Sequence, residues 1–457
     1  MISLAEELQD IDLGDQRLDR RARRLLEKLG NNPSASIPAA CGGYGEIKAA
    51  YRLLSNEKVD AQKILEPHYA STGERMRKQS VVLCIQDTTE LDYTGKDDIE
   101  GLGPLNYEAR KGLYLHPTLA VTPDRLCLGV LDAWMYAREP GSLGKGRVSS
   151  SAPIEGKESI RWLEGYQRTC ERQQEMPETR LIYLADREGD IYDIFFERET
   201  FLQRDGLAAD WLVRFRDDRN TVDGQKLRAV VEKAPVISHV EFDLAPARGR
   251  KKRHVVQSLR VARVVLNPPR RTGKKFSPVE ITALLASEDT PPSGEEPIEW
   301  LLLSSVQVET AEQAEEMLQW YMVRWQVEIF FRILKDGCKI EKLQLEHEER
   351  IEAAISLYMI IAWRVLFLTT LGRECPELPC SVVFDDEEWK AACVVARRKI
   401  VQDQPPTLDE MIRIVAGFGG FIGRKGDGFP GPKTLWIGLQ RVHDFAWAIQ
   451  CQKEVDV

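Results

Sequence analysis

Asp87, Asp186 and Glu328 are three carboxylates at positions that could hold a divalent metal. The apolar run SVVLCIQ leads into Asp87, and the run RLIYLA leads into Asp186. Glu328 is the only acid on one stripe of the segment YMVRWQVEIFFRILKDG, residues 321–337. Ligands of open α/β sheets gather outside the carboxyl ends of the strands, where the two aspartates are expected. Carboxylates without thiol or imidazole companions suit hard cations such as Mg²⁺ or Mn²⁺. Two such ions about 4 Å apart activate an attacking water or hydroxyl and stabilise the leaving oxygen of a phosphodiester. Read singly, each of these acids is more often a cap, a turn or a surface residue.

The element that must position Glu328 reads as one continuous helix. At about 100° per residue, Tyr321, Arg324, Trp325, Glu328, Arg332 and Lys335 fall within one arc, and the rest of the perimeter is apolar. A helix packed inside a domain rarely carries such a charged stripe without a partner for it. The other two acids need strands. Residues 80–93 and 180–186 read as buried strands, the second leading into a helix, and DWLVRFRDD reads as another strand. GLYLHPTLAVT and DRLCLGVLDAWMYA form an expected hairpin around TPDR, and 155–175 an expected helix.

Positive charge is concentrated in two places. From Arg17 to Lys28 six basic residues accompany two acidic ones. On a helix capped by Asp15, Arg17, Arg20, Arg21, Arg24 and Lys28 share one face, opposite Leu18, Ala22, Leu25, Leu26 and Leu29. Residues 248–275 hold eleven Lys or Arg and no acid, including Arg250, Lys251, Lys252 and Arg253. Basic side chains on strands and turns can track phosphates and release their counterions. A solvated surface helix is an even alternative for the first patch, and a flexible basic loop without a partner the lesser alternative for the second.

The chain has 457 residues, 43% hydrophobic and 30% charged, with a formal net charge of −9. An acidic total argues against nucleic acid, but the distribution of charge matters more than its sum. The nine cysteines include no CxxC, and Cys375 and Cys380, the closest pair, lack a neighbouring His, so reduced thiols are expected. The N-terminus lacks the basic start and apolar stretch of a secretory signal. Residues 350–372 are apolar enough to raise the question of a membrane span, yet Arg364 near the middle favours a buried helix. A cytoplasmic protein without a membrane partner is the expectation.

QDTT at 86–89, LADREGDIYD at 184–193 and YMVRWQVEIFFRILK at 321–335 resemble three catalytic blocks of a known family. These are the blocks of bacterial cut-and-paste insertion-sequence transposases of the transposon-five kind, which carry a DDE triad on an RNase H-like fold. The third block fits the family's Y-R-E-K signature through Tyr321, Arg324, Glu328 and Lys335. LGDQRLDRRARRLLEKLG with EIKAAYRLLSN resembles the family's end-binding helical domain. EWLLLSS resembles the end of its β insertion, and GGFIGRKGDGFPGPKTLWIGLQRV its dimerisation region.

The resemblance implies an α/β chain with an RNase H-like core, a mixed sheet flanked by helices and interrupted by a β-rich insertion. Its implied parts are a helical DNA-binding domain (1–65), the core (66–216 and 306–375), the insertion (217–305) and a helical dimerisation region (376–457). The implied activity is cut-and-paste DNA transposition: binding terminal inverted repeats as a homodimer, hydrolysing phosphodiesters through a DNA hairpin, and joining 3′ ends to target DNA. Asp87, Asp186 and Glu328 would hold two Mg²⁺ ions, with Mn²⁺ able to substitute. Tyr321, Arg324 and Lys335 would contact phosphates near the cleaved end. Trp300 and Trp325 would lie against the distorted terminal bases, where flipping a base carries a cost of unstacking, although core packing is the alternative for either. Arg332 shares the stripe but not the signature, so a DNA contact there is our inference. Two other functions fit the same fold: a regulator that binds without cutting, and a structure-specific nuclease.

Overall fold

The computed structural model describes residues 4–96, 98–141, 143, 149, 151–244, 252–397 and 404–455. Two compact units form from discontinuous pieces of chain. The first comprises Met1–Arg75, Thr88–Lys145 and Gln326–Val457, the second Met76–Asp87 and Gly146–Trp325. The strands are β1 (Val81–Gln86), β2 (Thr89–Asp92), β3 (Gly103–Pro104), β4 (Lys111–Val121), β5 (Cys127–Tyr136) and β6 (Arg180–Ala185). They continue with β7 (Asp210–Arg214), β8 (Val236–Leu244), β9 (Arg253–Leu266), β10 (Val279–Glu288) and β11 (Glu299–Ser304).

In the second unit the strand order is β1-β6-β7-β11-β10-β9-β8. The first three are parallel and almost wholly buried, as continuous apolar runs such as VVLCIQ and RLIYLA require. From β7 onward every pairing is antiparallel, and β8 to β11 lie in the stretch 217–305 expected from sequence as the β insertion. The helices Ile160–Glu175 and Tyr192–Asp205 belong to this unit. The first of them approaches β1 so closely that a Cβ on Gly165 would lie 1.8 Å from Gln86 Nε2, so any larger residue there would have to displace the buried Gln86 amide. Phe195 on the second stacks on Trp211 of β7 at 4.1 Å.

In the first unit β4 takes β2, β3 and β5 as antiparallel partners. The TPDR turn joins β4 to β5 as expected, with Arg125 in the left-handed region at φ 72°. The helix Glu348–Glu374 is long and apolar enough to cross a membrane, but 89% of its most apolar window is buried inside the protein. Its Trp363 donates from Nε1 to the Cys127 carbonyl of β5, 2.9 Å away. The N-terminal helix Gln16–Asn31 is capped by Asp15 and buries the five apolar residues expected of it. The helices Asp386–Val395, Leu408–Phe418 and Pro432–Val455 complete the unit.

The fold is therefore the expected α/β class, a mixed sheet flanked by helices with helical N- and C-terminal regions. One expectation fails. Residues 321–337 are not a single regular helix: Ala311–Val323 ends at Arg324, Trp325–Arg332 follows, and Ile333–Gly337 closes as a wider π turn, with Cys338 N–H donating to Ile333 O at 2.8 Å. The even 100° stripe assumed a constant i→i+4 ladder, which the i→i+5 turn that contains Lys335 replaces. Such turns frequently occur at functional sites.

Candidate active site

Strand register brings Asp87 and Asp186 together. Ile85 pairs with Leu184, so each aspartate lies two residues beyond a matched pair on neighbouring parallel strands. Ala185 pairs with Val213, which sets Asp186 level with Arg214, the last residue of β7. Adjacent strands are about 4.8 Å apart, so Asp87, Asp186 and Arg214 form a row across three strand ends. Asp186 accepts a hydrogen bond from Glu188 N–H at 2.7 Å, which turns the chain away from β6.

The row is rich in positive charge. Arg324 Nη1 lies 2.7 Å from Asp87 Oδ2, with both side chains mostly buried. Burial lowers the Arg214 pKa, and repulsion from Arg187 and Arg324 lowers it further, while Tyr321 and Asp186 act in the opposite sense. Tyr321 is buried, and desolvation pushes its phenol up to about 12 even though Arg324 and Arg214 favour the phenolate. It is therefore a neutral hydrogen-bond donor at physiological pH. Behind the row, Tyr183 donates to Gln86 Oε1 and to the Trp162 carbonyl. Burial raises the Tyr183 pKa well above the ordinary value, helped by the negative charges of Asp186 and Asp87.

The other expected residues are more dispersed. Glu328 is half-buried on the helix Trp325–Arg332 and belongs to the first unit. Lys335, in the same unit, is half-buried with its Nζ 3.8 Å from Glu341, and Arg332 is exposed. Trp325 is 61% exposed, so core packing does not account for it. Trp300 is half-buried on β11, parallel to Phe242 at 6.5 Å.

Of the N-terminal cations, Arg17, Arg20, Arg21 and Arg24 are exposed and Lys28 is half-buried. Arg17 pairs with Asp15 and Arg24 with Glu46, and Lys28 donates to the Cys41 carbonyl. Lys252 pairs with Asp243, and Arg253 with both Glu288 and Glu295. Arg250 and Lys251 lie outside the described residues. Arg187 and Arg214 are not among the residues that the sequence marks out. Arg214 ends an apolar strand just as Asp87 and Asp186 follow theirs, and that parallel was the available signal.

Asp87 and Asp186 are oxygen-only donors, which fits a hard divalent cation. Among the described residues no group of three or more His, Cys, Asp or Glu side chains is gathered in a metal-holding arrangement. The fit therefore extends to two acids at one sheet end, with Arg324 on one of them.

Residues 200–364 match the family model for the transposase DDE domain, a stretch that contains Tyr321, Arg324, Glu328 and Lys335 and begins after Asp186. Residues 3–59 match the transposase DNA-binding domain. A mixed sheet with acids at its strand ends, joined to these two domains, makes the chain a DNA-binding transposase of the DDE class. Residues 360–453 match the transposase Tn5 dimerisation domain. Within its class the chain thus resembles insertion-sequence transposases of the Tn5 type, whose DDE members generally depend on divalent metal ions.

Proposed function

We propose that this transposase acts by cut-and-paste: two copies bind the terminal inverted repeats of an insertion sequence, cut at its ends through a DNA hairpin, and join the 3′ ends to target DNA. It would do so in the bacterial cytoplasm, at the nucleoid. The observation that carries this reading is the row of Asp87, Asp186 and Arg214 across three parallel strand ends, with Arg324 bound to the first acid.

In this reading Asp87, Asp186 and Glu328 hold two Mg²⁺ ions, which Mn²⁺ can replace. When bound there, the ions supply Lewis-acid activation of water and charge neutralisation at the leaving oxygen. Arg324, Arg214, Arg187 and Lys335 provide fixed positive charge where phosphate oxygens lie and where negative charge grows during attack. Neutral Tyr321 donates a hydrogen bond to a phosphate. The exposed ring of Trp325, with Trp300, stacks on terminal bases, each stack contributing about 1–3 kcal/mol. The cationic face of Gln16–Asn31 grips the backbone of the end sequence.

The test is a cleavage assay with the purified chain, Mg²⁺ and a duplex carrying the inverted repeat that flanks its own gene, resolved on a denaturing gel. A 3′ nick followed by a hairpin-sized product is expected, with Asp87→Ala and Glu328→Ala each reducing cleavage by about a thousandfold or more while end binding persists. End binding without cleavage in either metal would identify a regulator. Cleavage indifferent to the end sequence would identify a nuclease.

A further inference from the structure

Four residues beyond Asp186, in the same loop, is an acid that the proposed mechanism does not use. Asp190 is 1% exposed, and the described contacts of its carboxylate lie in one other segment, the chain leaving β7. Its Oδ2 accepts from the backbone N–H groups of Arg216 at 2.7 Å and Asp217 at 2.9 Å. Its Oδ1 accepts from Arg219 Nη1, and its own carbonyl accepts from Arg219 Nη2 at 2.8 Å. Arg219 is itself mostly buried, over the ring of Phe195.

We infer that Asp190 is a positioning residue for the cutting reaction: it clamps the β7 exit loop to the loop that starts at Asp186, and so sets Arg214 against Asp186. This assignment rests on the proposed active site. A buried carboxylate with three strong donors, and a fourth on its own carbonyl, is a rigid tie, because separating it strands both an anion and a guanidinium away from water. The tie lies two residues beyond Arg214 on one side and four beyond Asp186 on the other, with the Arg187–Gly189 turn between. Arg214, Asp186 and Arg187 already act on one another electrostatically. A guanidinium that meets developing charge must stand in place before attack, since it otherwise loses energy to reorganisation. Asp190 therefore touches no reacting atom and acts through Arg214.

The experiment is a double-mutant cycle on the full chain, using end-bearing duplex and Mg²⁺. Single-turnover cleavage at saturating protein is read alongside end binding by gel shift and thermal unfolding. Asp190→Asn keeps the shape and removes the charge. It is expected to slow cleavage by about tenfold to a hundredfold, the scale of a misplaced catalytic group, with end binding unchanged. In an Arg214→Ala background the same change should cost less than about twofold, because the two residues act as one unit. Losses that multiply across the cycle, or full-rate cleavage by Asp190→Asn, would overturn the assignment. If Asp190→Asn unfolds, Arg219→Lys replaces it: the fork is lost, the cation stays, and the same non-additive slowing is expected, with wild-type rates counting against the clamp. A wild-type chain that binds ends but cuts nothing would overturn the functional reading itself, and the clamp with it.

Discussion

The helix Gln16–Asn31 and the strands of the β insertion carry the two densest basic runs in the chain, and the fold treats them in opposite ways. On the helix the cations occupy the face opposite Leu18, Ala22, Leu25, Leu26 and Leu29, so packing that face leaves them in solvent. Among the described residues neither Arg20 nor Arg21 meets a carboxylate. In the insertion, strand pairing and turns bring each described cation of the run 252–274 that forms an ion pair onto an acid distant in sequence: Lys252 on Asp243, Arg253 on Glu288 and Glu295, Arg263 on Glu280, Arg271 and Lys274 on Asp193. A basic run is an electrostatic footprint for DNA only where its own fold leaves it unanswered. The helix meets that condition at Arg20 and Arg21, though not at Arg17 and Arg24, and most of the insertion does not.

The largest expected effect comes from breaking the insertion's buried pair. Glu288 is 6% exposed and also accepts from the Ile298 N–H at 2.9 Å. Arg253→Ala leaves that carboxylate buried without its cation, which costs about 3–5 kcal/mol. Thermal or urea unfolding should register the loss, while end binding by the folded fraction stays as in the wild type. A loss of end affinity without a loss of stability would restore Arg253 to the DNA-binding surface.

The helix should behave in the reverse way. Arg20→Ala with Arg21→Ala removes two exposed charges that support no packing, so stability is expected to change by less than about 0.5 kcal/mol. End affinity should fall, and the slope of log K against log salt should become shallower by about 1.8, the value for two phosphate contacts. An unchanged slope would mean that this face does not meet the DNA backbone.

The contrast also marks how far the sequence could be read. Period-two and continuous apolar runs located the strands that end before Asp87 and Asp186, and the helical period located the packed and cationic sides of Gln16–Asn31, because these signals depend on neighbours within a few residues. The pairing of Arg253 with Glu288, 35 positions away, depends on the β9–β10 register, which no local pattern encodes. The same is true of the row at the strand ends: Asp87 and Asp186 were legible as acids closing apolar runs, but setting Arg214 beside Asp186 required knowing that β6 and β7 are adjacent and in which register. The π turn at Ile333–Gly337 was hidden for another reason. Its residues have ordinary helical propensities, and nothing in their order marks the change of ladder.

Two smaller effects sharpen the comparison. Arg263 and Glu280 face each other in solvent, with side chains 52% and 49% exposed, so Arg263→Ala is expected to change stability by at most about 1 kcal/mol. It should also leave the salt slope of end binding unaltered, which would separate a neutralised cation from a DNA contact on the same sheet.

On the helix, the corresponding pair is Asp15 with Arg17, where the carboxylate also accepts from the Arg17 backbone N–H at 2.8 Å. The side-chain hydrogen bond from Arg17 and that backbone bond hold the Asp15 pKa down to about 2, against a reference of 3.8. Because the folded-state value is depressed, the capping contribution is fully present above pH 3.8 and is lost as pH falls through about 2. Asp15→Ala should therefore destabilise the helix at neutral pH, and the difference from wild type should shrink on acidification through that window, measured by circular dichroism melts across pH. A difference that persists unchanged below pH 2 would mean that the cap holds the helix start by shape or by neutral hydrogen bonding, and that its charge plays no part in presenting the cationic face.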